Sequence, residues 1–299
     1  MKKERTPLGY RIGYLGPEAT FTNMAVTRFF PGEVSIPYVT IPDCIDAVAA
    51  GEIDYAVVPL ENAIEGSVNI TIDYLVHEQP VPIVGEITVP IQQHLLVHPS
   101  HADAWREAKM VYSHPHAIAQ CHKFLSQHLK GTPVEDVTST SAAARLVAQH
   151  PEENIAAIAN EAAAEKYGLT IVQRSIHTHQ NNHTKFIILH QTPERKFQKN
   201  EDYCGEKATL MVTLPSDYAG ALYQVLAAFA WRKINLSKIE SRPMKTGLGN
   251  YFFLIDVEGE HDSVLLSGAK AELEALGCSV SFLGNYPCYS FKQNESAKS

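Results

Sequence analysis

YRIGYLGPEATFTNMAVTRFFPGEVSIPYV, residues 10–39, sets two short β-rich runs around one helical pattern. YRIGYL and VSIPYV read as strands, and ATFTNMAVTRFF between them reads as a helix. Strand, helix, strand in so short a span is the signature of a parallel βαβ unit. The alternation continues with a helix closed by Gly51 and the run DYAVVPL. A second series follows: VPIVGEITVP, QHLLVHP, KMVYSH, a helix after Pro115, a strand near Val134, a helix from Thr140, the run IAAIAN and a short helix to Tyr167. Two α/β lobes are therefore expected. LTIVQRSI leads back through NNHTKFIIL, residues 181–189, whose strand FIIL is expected to rejoin the first lobe. Two lobes joined by crossing segments enclose a cleft.

Residues 192–206, TPERKFQKNEDYCGE, are polar without an apolar period and read as a linker. Beyond them KATLMVTL alternates as a strand, and Leu222, Val225, Leu226 and Phe229 recur as one helix face. LSKIESRP and NYFFLIDVEG read as strands about a turn at TGLG, residues 246–249. Leu266, Ala269, Leu273 and Leu276 mark a second helix ended by Gly277, and SVSFLGNY closes as a strand. The order βαββαβ is the ferredoxin-like arrangement.

With 299 residues and 45% hydrophobic content, the chain can bury two or three cores. The net charge of -8, with Lys and Arg scattered, leaves no footprint for nucleic acid or anionic lipid. Five widely placed cysteines without a CxxC pair fit a reducing cytoplasm. The basic start MKKERTPLGYRIGYLG is interrupted by Gly, Arg and Pro before an export signal could form, and no run reaches the length of a membrane span. The expectation is a soluble, unexported protein.

Four polar loops follow predicted strands. GPEATFT (16–22) offers Gly16 for a tight turn, Pro17 for the first helical turn, and Glu18, Thr20 and Thr22 near a positive helix end. PLENAIEGSVN (59–69) places Glu61, Asn62 and Ser67 beyond a strand's carboxyl end, where open α/β sheets bind ligands. SHPHAIAQC (113–121) repeats the arrangement with Ser113, Pro115 and Gln120, and STSAA (139–143) adds hydroxyls at a third helix start. Each loop alone is equally an ordinary capped turn. Together, on both lobes, they point to a cleft for a small, multiply charged anion. His177, His179 and His183 share the stretch HTHQNNH, but no nearby Asp, Glu or Cys completes a metal set. TGLGN lacks the spacing of a dinucleotide fingerprint, and neither a Walker sequence nor GxSxG occurs, so no metal and no cofactor are expected.

GPEATFT, PLENAIEGS, SHPHAIAQC, STSAA and NNHTKF, in this order and across nearly the whole chain, resemble the prephenate dehydratase family. GAL at 220–222 and ESRP at 240–243 resemble the ACT regulatory domain of that family. The resemblance implies a periplasmic-binding-protein-like, two-lobed α/β catalytic domain over 8–191, a linker over 192–206 and a ferredoxin-like ACT domain over 207–291. It implies a lyase of phenylalanine biosynthesis that turns prephenate into phenylpyruvate, water and carbon dioxide. Thr184 would be catalytic, with Asn62, Ser113, Gln120, Thr140 and Lys185 holding the substrate. L-Phenylalanine would be the effector, bound by Gly220, Ala221 and Leu222 and by Glu240, Ser241, Arg242 and Pro243 of an adjacent subunit. A homodimer or homotetramer is implied, and no chorismate mutase-like helical segment precedes residue 10, as in monofunctional members.

Two positions depart from the family pattern. Lys185 stands where Arg is usual, keeping the charge but losing the planar fork. Ala219 replaces a proline before the ACT helix, which leaves helix initiation possible. Two other readings share much of this pattern: arogenate dehydratase, whose substrate carries an amine in place of the ketone, and a two-lobed solute-binding protein or amino-acid sensor without catalysis.

Overall fold

The computed structural model describes residues 9–193, 197–216, 218–244, 251–259 and 263–292. The chain divides into two compact units. Of the described residues, the first holds 9–79, Thr88–Ile187 and 291–292, and the second holds Pro80–Ile87 and those within Ile188–Ser290.

In the first unit the chain runs β1 (Arg11–Leu15), α1 (Phe21–Phe29), β2 (Val34–Tyr38), α2 (Ile41–Ala49), β3 (Tyr55–Asn62), the two-residue β4 (Gly66–Ser67) and α3 (Asn69–His77). Strand β1 pairs in parallel with both β2 and β3, as the opening alternation predicts. Strand β5 (Ile83–Pro90) leads to β6 (His94–Val97), a 3-10 segment (Pro99–Glu107), β7 (Val111–Ser113), α4 (Pro115–His128) and β8 (Val134–Asp136). Helix α5 (Thr140–Gln149), β9 (Ala156–Ala159), α6 (Glu161–Tyr167) and β10 (Thr170–Gln173) complete the second lobe, and β11 (His183–Leu189) returns beside β3.

The second lobe is a five-stranded sheet in the order β10-β6-β9-β7-β8. Strand β7 is parallel to β8 and β9, but β6 and β10 run antiparallel to their neighbours, so the sheet of this α/β lobe is mixed. Strand β6 enters straight from the crossing segment, without the helical crossover that would fix its direction. Its side chains alternate: Leu95 and Val97 join Ala156 and Ile158 in one core with Ala117 and Cys121 of α4, while Leu96 joins Ala157 and Ala159 in another with Ala143, Val147 and Ala163. Small residues on that second face let α5 and α6 approach the sheet closely.

Side-chain caps start most of these helices. Thr20, Thr40, His114, Ser139 and Asn160 each accept a hydrogen bond from a backbone N–H in the first turn, a contribution of about 1 kcal/mol apiece for the hydroxyl and amide caps. Pro17 is not in the first turn of α1 as expected; it follows a cis peptide bond from Gly16, and the helix starts after Thr20.

His94, only 2% exposed, accepts a hydrogen bond at Nδ1 from Ser175 N at 2.9 Å. Burial, aided by the Arg174 charge, pushes its pKa down to about 4. The folded protein therefore holds this ring neutral, while the unfolded chain takes up a proton near the ordinary value of 6.5. The associated stability is present above that value and is lost as pH falls toward the folded one. Each pH unit in this window costs about 1.4 kcal/mol, so roughly 3 kcal/mol is expected to go. Urea unfolding at several pH values checks this: His94→Gln should flatten the slope relative to wild type, and an unchanged slope would refute the assignment.

In the second unit, β12 (Tyr203–Thr213), α7 (Ala221–Ala230), β13 (Leu236–Pro243), β14 (Tyr251–Glu258), α8 (Ser263–Ala275) and β15 (Ser279–Ser290) give the βαββαβ order. The sheet order is β13-β14-β12-β15, antiparallel throughout, with β5 beside β15. Ala208, Leu210 and Val212 face a core shared with Val225, Phe229, Leu266 and Leu273 of the two helices. Lys207 and Thr209 occupy the alternate positions on β12 and are buried among polar partners.

Several expectations shift by a residue or more. Strand β12 begins inside the expected linker, where Tyr203 meets Tyr289 edge-on at 6.0 Å. The buried positions of α7 are Ala221, Val225, Ala228 and Phe229, which rotates the predicted face and leaves Leu222 39% exposed. Leu276 lies past the end of α8 and is exposed, with Gly277 at φ +88° turning the chain there. The turn expected at 246–249 lies outside the described residues.

Candidate active site

Three helices of the first unit start at one cavity of about 530 Å³. Thr20 and Phe21 at the start of α1, His114 and His116 at α4, and Ser139 and Thr140 at α5 line it. Each start presents unpaired backbone N–H groups and the positive end of a helix dipole, which together favour an anion. No Lys or Arg is among the described residues lining this cavity. Gly16 lets the β1–α1 loop pass tightly, since a Cβ there would meet Pro37 Cβ at 2.8 Å. The loop is tied to the second lobe: Ser141 Oγ donates to Glu18 O at 2.5 Å, Asn160 Nδ2 donates to Ala19 O at 3.1 Å, and Lys166 pairs with Glu18.

Thr184 and Phe186 reach the cavity from β11, and strand alternation turns Lys185 to the other face. Thr184 Oγ1 accepts a hydrogen bond from Asn62 Nδ2 at 2.8 Å. The orientation of Asn62 is fixed by its other atoms, because Oδ1 accepts from Ile64 N at 3.0 Å and Glu65 N at 3.1 Å, leaving only Nδ2 to face Thr184. With its oxygen serving as acceptor, Thr184 keeps its own hydroxyl hydrogen for a group in the cavity.

Gln120 is 9% exposed and placed by two neighbours: Asn182 Nδ2 donates to its Oε1 at 3.2 Å, and its Nε2 donates to Glu65 Oε1 at 3.4 Å. Burial, and then the neighbouring His116, lower the pKa of His114. Asn62, Gln120, Thr140 and Thr184 are thus brought together around one cavity. Ser113 and Lys185 are not. Ser113 is fully buried and donates to Ile158 O at 2.7 Å, a bond that holds the strand end. Lys185 Nζ lies 3.3 Å from Glu61 Oε2, on the face away from the cavity.

Glu65, Gln93, His116 and Phe186 also line the cavity and were not singled out from the sequence. Phe186 follows Thr184 by two residues, a spacing that would have found it. Gln93 lies on a crossing segment that carries no local signal. His183 does not line the cavity; its Nδ1 lies 3.0 Å from Asn181 O. Among the described residues, no group of three His, Cys, Asp or Glu is placed to hold a metal ion.

In the second unit Gly220, at φ +92°, starts α7 without a side-chain cap, followed by Ala221 and Leu222. Glu240, Ser241, Arg242 and Pro243 end β13, the outer strand of the sheet, where Arg242 Nη1 donates to Glu240 Oε1 at 2.6 Å. Among the described residues no helix is long and apolar enough to cross a membrane.

The family model for prephenate dehydratase matches residues 12–194. The prephenate dehydratase of Bacillus subtilis (strain 168) is 58% identical over 282 residues, covering 93% of this chain and 99% of that protein. The crystal structure of a prephenate dehydratase from Arthrobacter aurescens in complex with L-Phe superposes with a TM-score of 0.80 at 33% identity, covering 92% of this chain and 89% of that one. GqqA, described as a novel type of quorum quenching acylase, has a TM-score of 0.80 at 28% identity over 93% of this chain and 98% of its own. A family model spanning more than half of the chain, and a relative 58% identical over almost all of it, show that the chain belongs to the prephenate dehydratase family.

Proposed function

We propose that the first unit converts prephenate to phenylpyruvate, and that the hydrogen bond from Asn62 to Thr184 carries the chemistry. Electrons of the bond to the leaving carboxylate move through the ring and expel the ring hydroxyl, which departs as water once a proton reaches it. Carbon dioxide and an aromatic ring are the other products. Thr184, whose oxygen is occupied by Asn62 at 2.8 Å, is set to donate to the departing hydroxyl. The three helix starts hold the carboxylates, with Gln120 and Thr140 as side-chain donors. Residues 8–191 form the catalytic domain in this reading, 192–206 the linker and 207–291 an ACT domain that binds phenylalanine. The L-Phe complex of the Arthrobacter aurescens relative supports the effector. Tyr223 on α7 and Trp231 just past its end, 71% and 78% exposed, support association of subunits through this unit. Five free cysteines fit the cytoplasm.

Ultraviolet detection of phenylpyruvate from purified protein and prephenate tests the reading, with phenylalanine added in a second series. Turnover suppressed by phenylalanine is the expected result. Phenylalanine formed only from arogenate would move the substrate to the amino analogue. Inactivity on both, with hydrolysis of an N-acylated substrate, would favour the acylase chemistry described for GqqA.

A further inference from the structure

Within the cavity, the only carboxylate among the described lining residues belongs to Glu65. An acidic group is unfavourable where a dianion must bind, so its placement calls for a reason. Glu65 stands in the β3–β4 turn of the first lobe and reaches across to α4 of the second. Its Oε2 lies 3.2 Å from His116 Nδ1, and its Oε1 accepts from Gln120 Nε2 at 3.4 Å. Both partners sit in the first turns of α4, where backbone N–H groups also face the cavity. The turn itself is anchored by Asn62, through the bond to Glu65 N at 3.1 Å. A carboxylate from the protein thus occupies donors suited to a carboxylate of the substrate.

We propose that Glu65 is a built-in competitor for the anion-binding end of α4: it latches the two lobes when the cavity is empty and must leave His116 and Gln120 when an anionic substrate enters. This rests on the proposed dehydratase reading for the identity of the substrate, but the competition itself applies to any carboxylate that docks there. The same charge ranks substrates. A dianion must displace and then tolerate Glu65, whereas a substrate carrying an ammonium group, as arogenate does, gains back part of that penalty.

The test is steady-state kinetics of Glu65→Gln and Glu65→Ala with prephenate and with arogenate. Each contact is partly exposed, so the expected fall in KM for prephenate is about three- to tenfold, with kcat moving less than about threefold and a smaller KM change for arogenate. An unchanged or raised KM for prephenate would overturn the proposal, as would a tenfold loss of kcat in both variants, which would make Glu65 part of the chemistry. Calorimetric titration with phenylpyruvate separates this from the dehydratase reading. Tighter phenylpyruvate binding by both variants than by wild type upholds the competition even where neither substrate turns over, and equal binding refutes it even where prephenate does.

Discussion

Thr184→Ala is expected to lower kcat for prephenate by about 10²- to 10⁴-fold, the range for loss of a positioned proton donor, while KM and the unfolding midpoint stay close to wild type. The reason is the direction of one hydrogen bond. Asn62 Nδ2 donates to Thr184 Oγ1, and Asn62 cannot turn over because Ile64 N and Glu65 N hold its oxygen. Asn62 therefore makes no use of the threonine proton, which in the proposed reaction serves the departing hydroxyl. Before departure that hydroxyl bears little charge, so the interaction strengthens in the transition state and the loss falls on kcat. Removing one partly buried bond costs only about 1 kcal/mol of stability. Thr184→Ser keeps the hydroxyl and should retain activity within about tenfold, the difference reflecting a freer χ1. A folded Thr184→Ala enzyme with near-native kcat would remove Thr184 from the chemistry.

This site was legible from sequence wherever a residue's role follows from its place on a local element. Thr184 is the second residue of β11, Thr140 opens α5, Gln120 stands in the second turn of α4 and Asn62 ends β3, and local pattern finds such positions. Ser113 has the same local position, yet its side chain turns inward to Ile158 O, a partner 45 residues away that no local pattern reveals. Lys185 entered through the family resemblance, although its neighbour Thr184 lines the cavity and strand alternation puts the lysine on the opposite face. Glu65 was hidden for a different reason: its partners His116 and Gln120 come from the other lobe, and only the folded chain brings them within reach. At the level of fold, alternation of strands and helices was enough for both βαβ halves and for βαββαβ. It could not give the antiparallel direction of β6 and β10, which depends on where the crossing segments enter.

Lys207→Met is expected to destabilise the second unit by about 3–5 kcal/mol, whereas Lys207→Met combined with Glu86→Leu should recover most of the loss. Lys207 and Glu86 are 6% and 3% exposed, and Nζ lies 2.7 and 2.8 Å from the two carboxylate oxygens. Burial alone would lower the lysine pKa, but Glu86, with smaller contributions from Cys288 and Asp256, raises it above the ordinary value of 10.5. A raised lysine stabilises the fold at all pH values below its unfolded pKa, so the pair acts fully across the neutral range. The same buried layer holds Asp256, 3% exposed, which accepts from Thr209 Oγ1 at 2.7 Å, and Tyr286 OH lies 2.7 Å from that hydroxyl. Removing the lysine leaves the Glu86 carboxylate buried without that partner, with a second carboxylate, Asp256, in the same layer. Urea unfolding of the wild type and both variants measures this directly. A loss below about 1 kcal/mol, or no recovery in the double variant, would mean that water reaches the pair and that its burial contributes little to holding β5 in the sheet of the second unit.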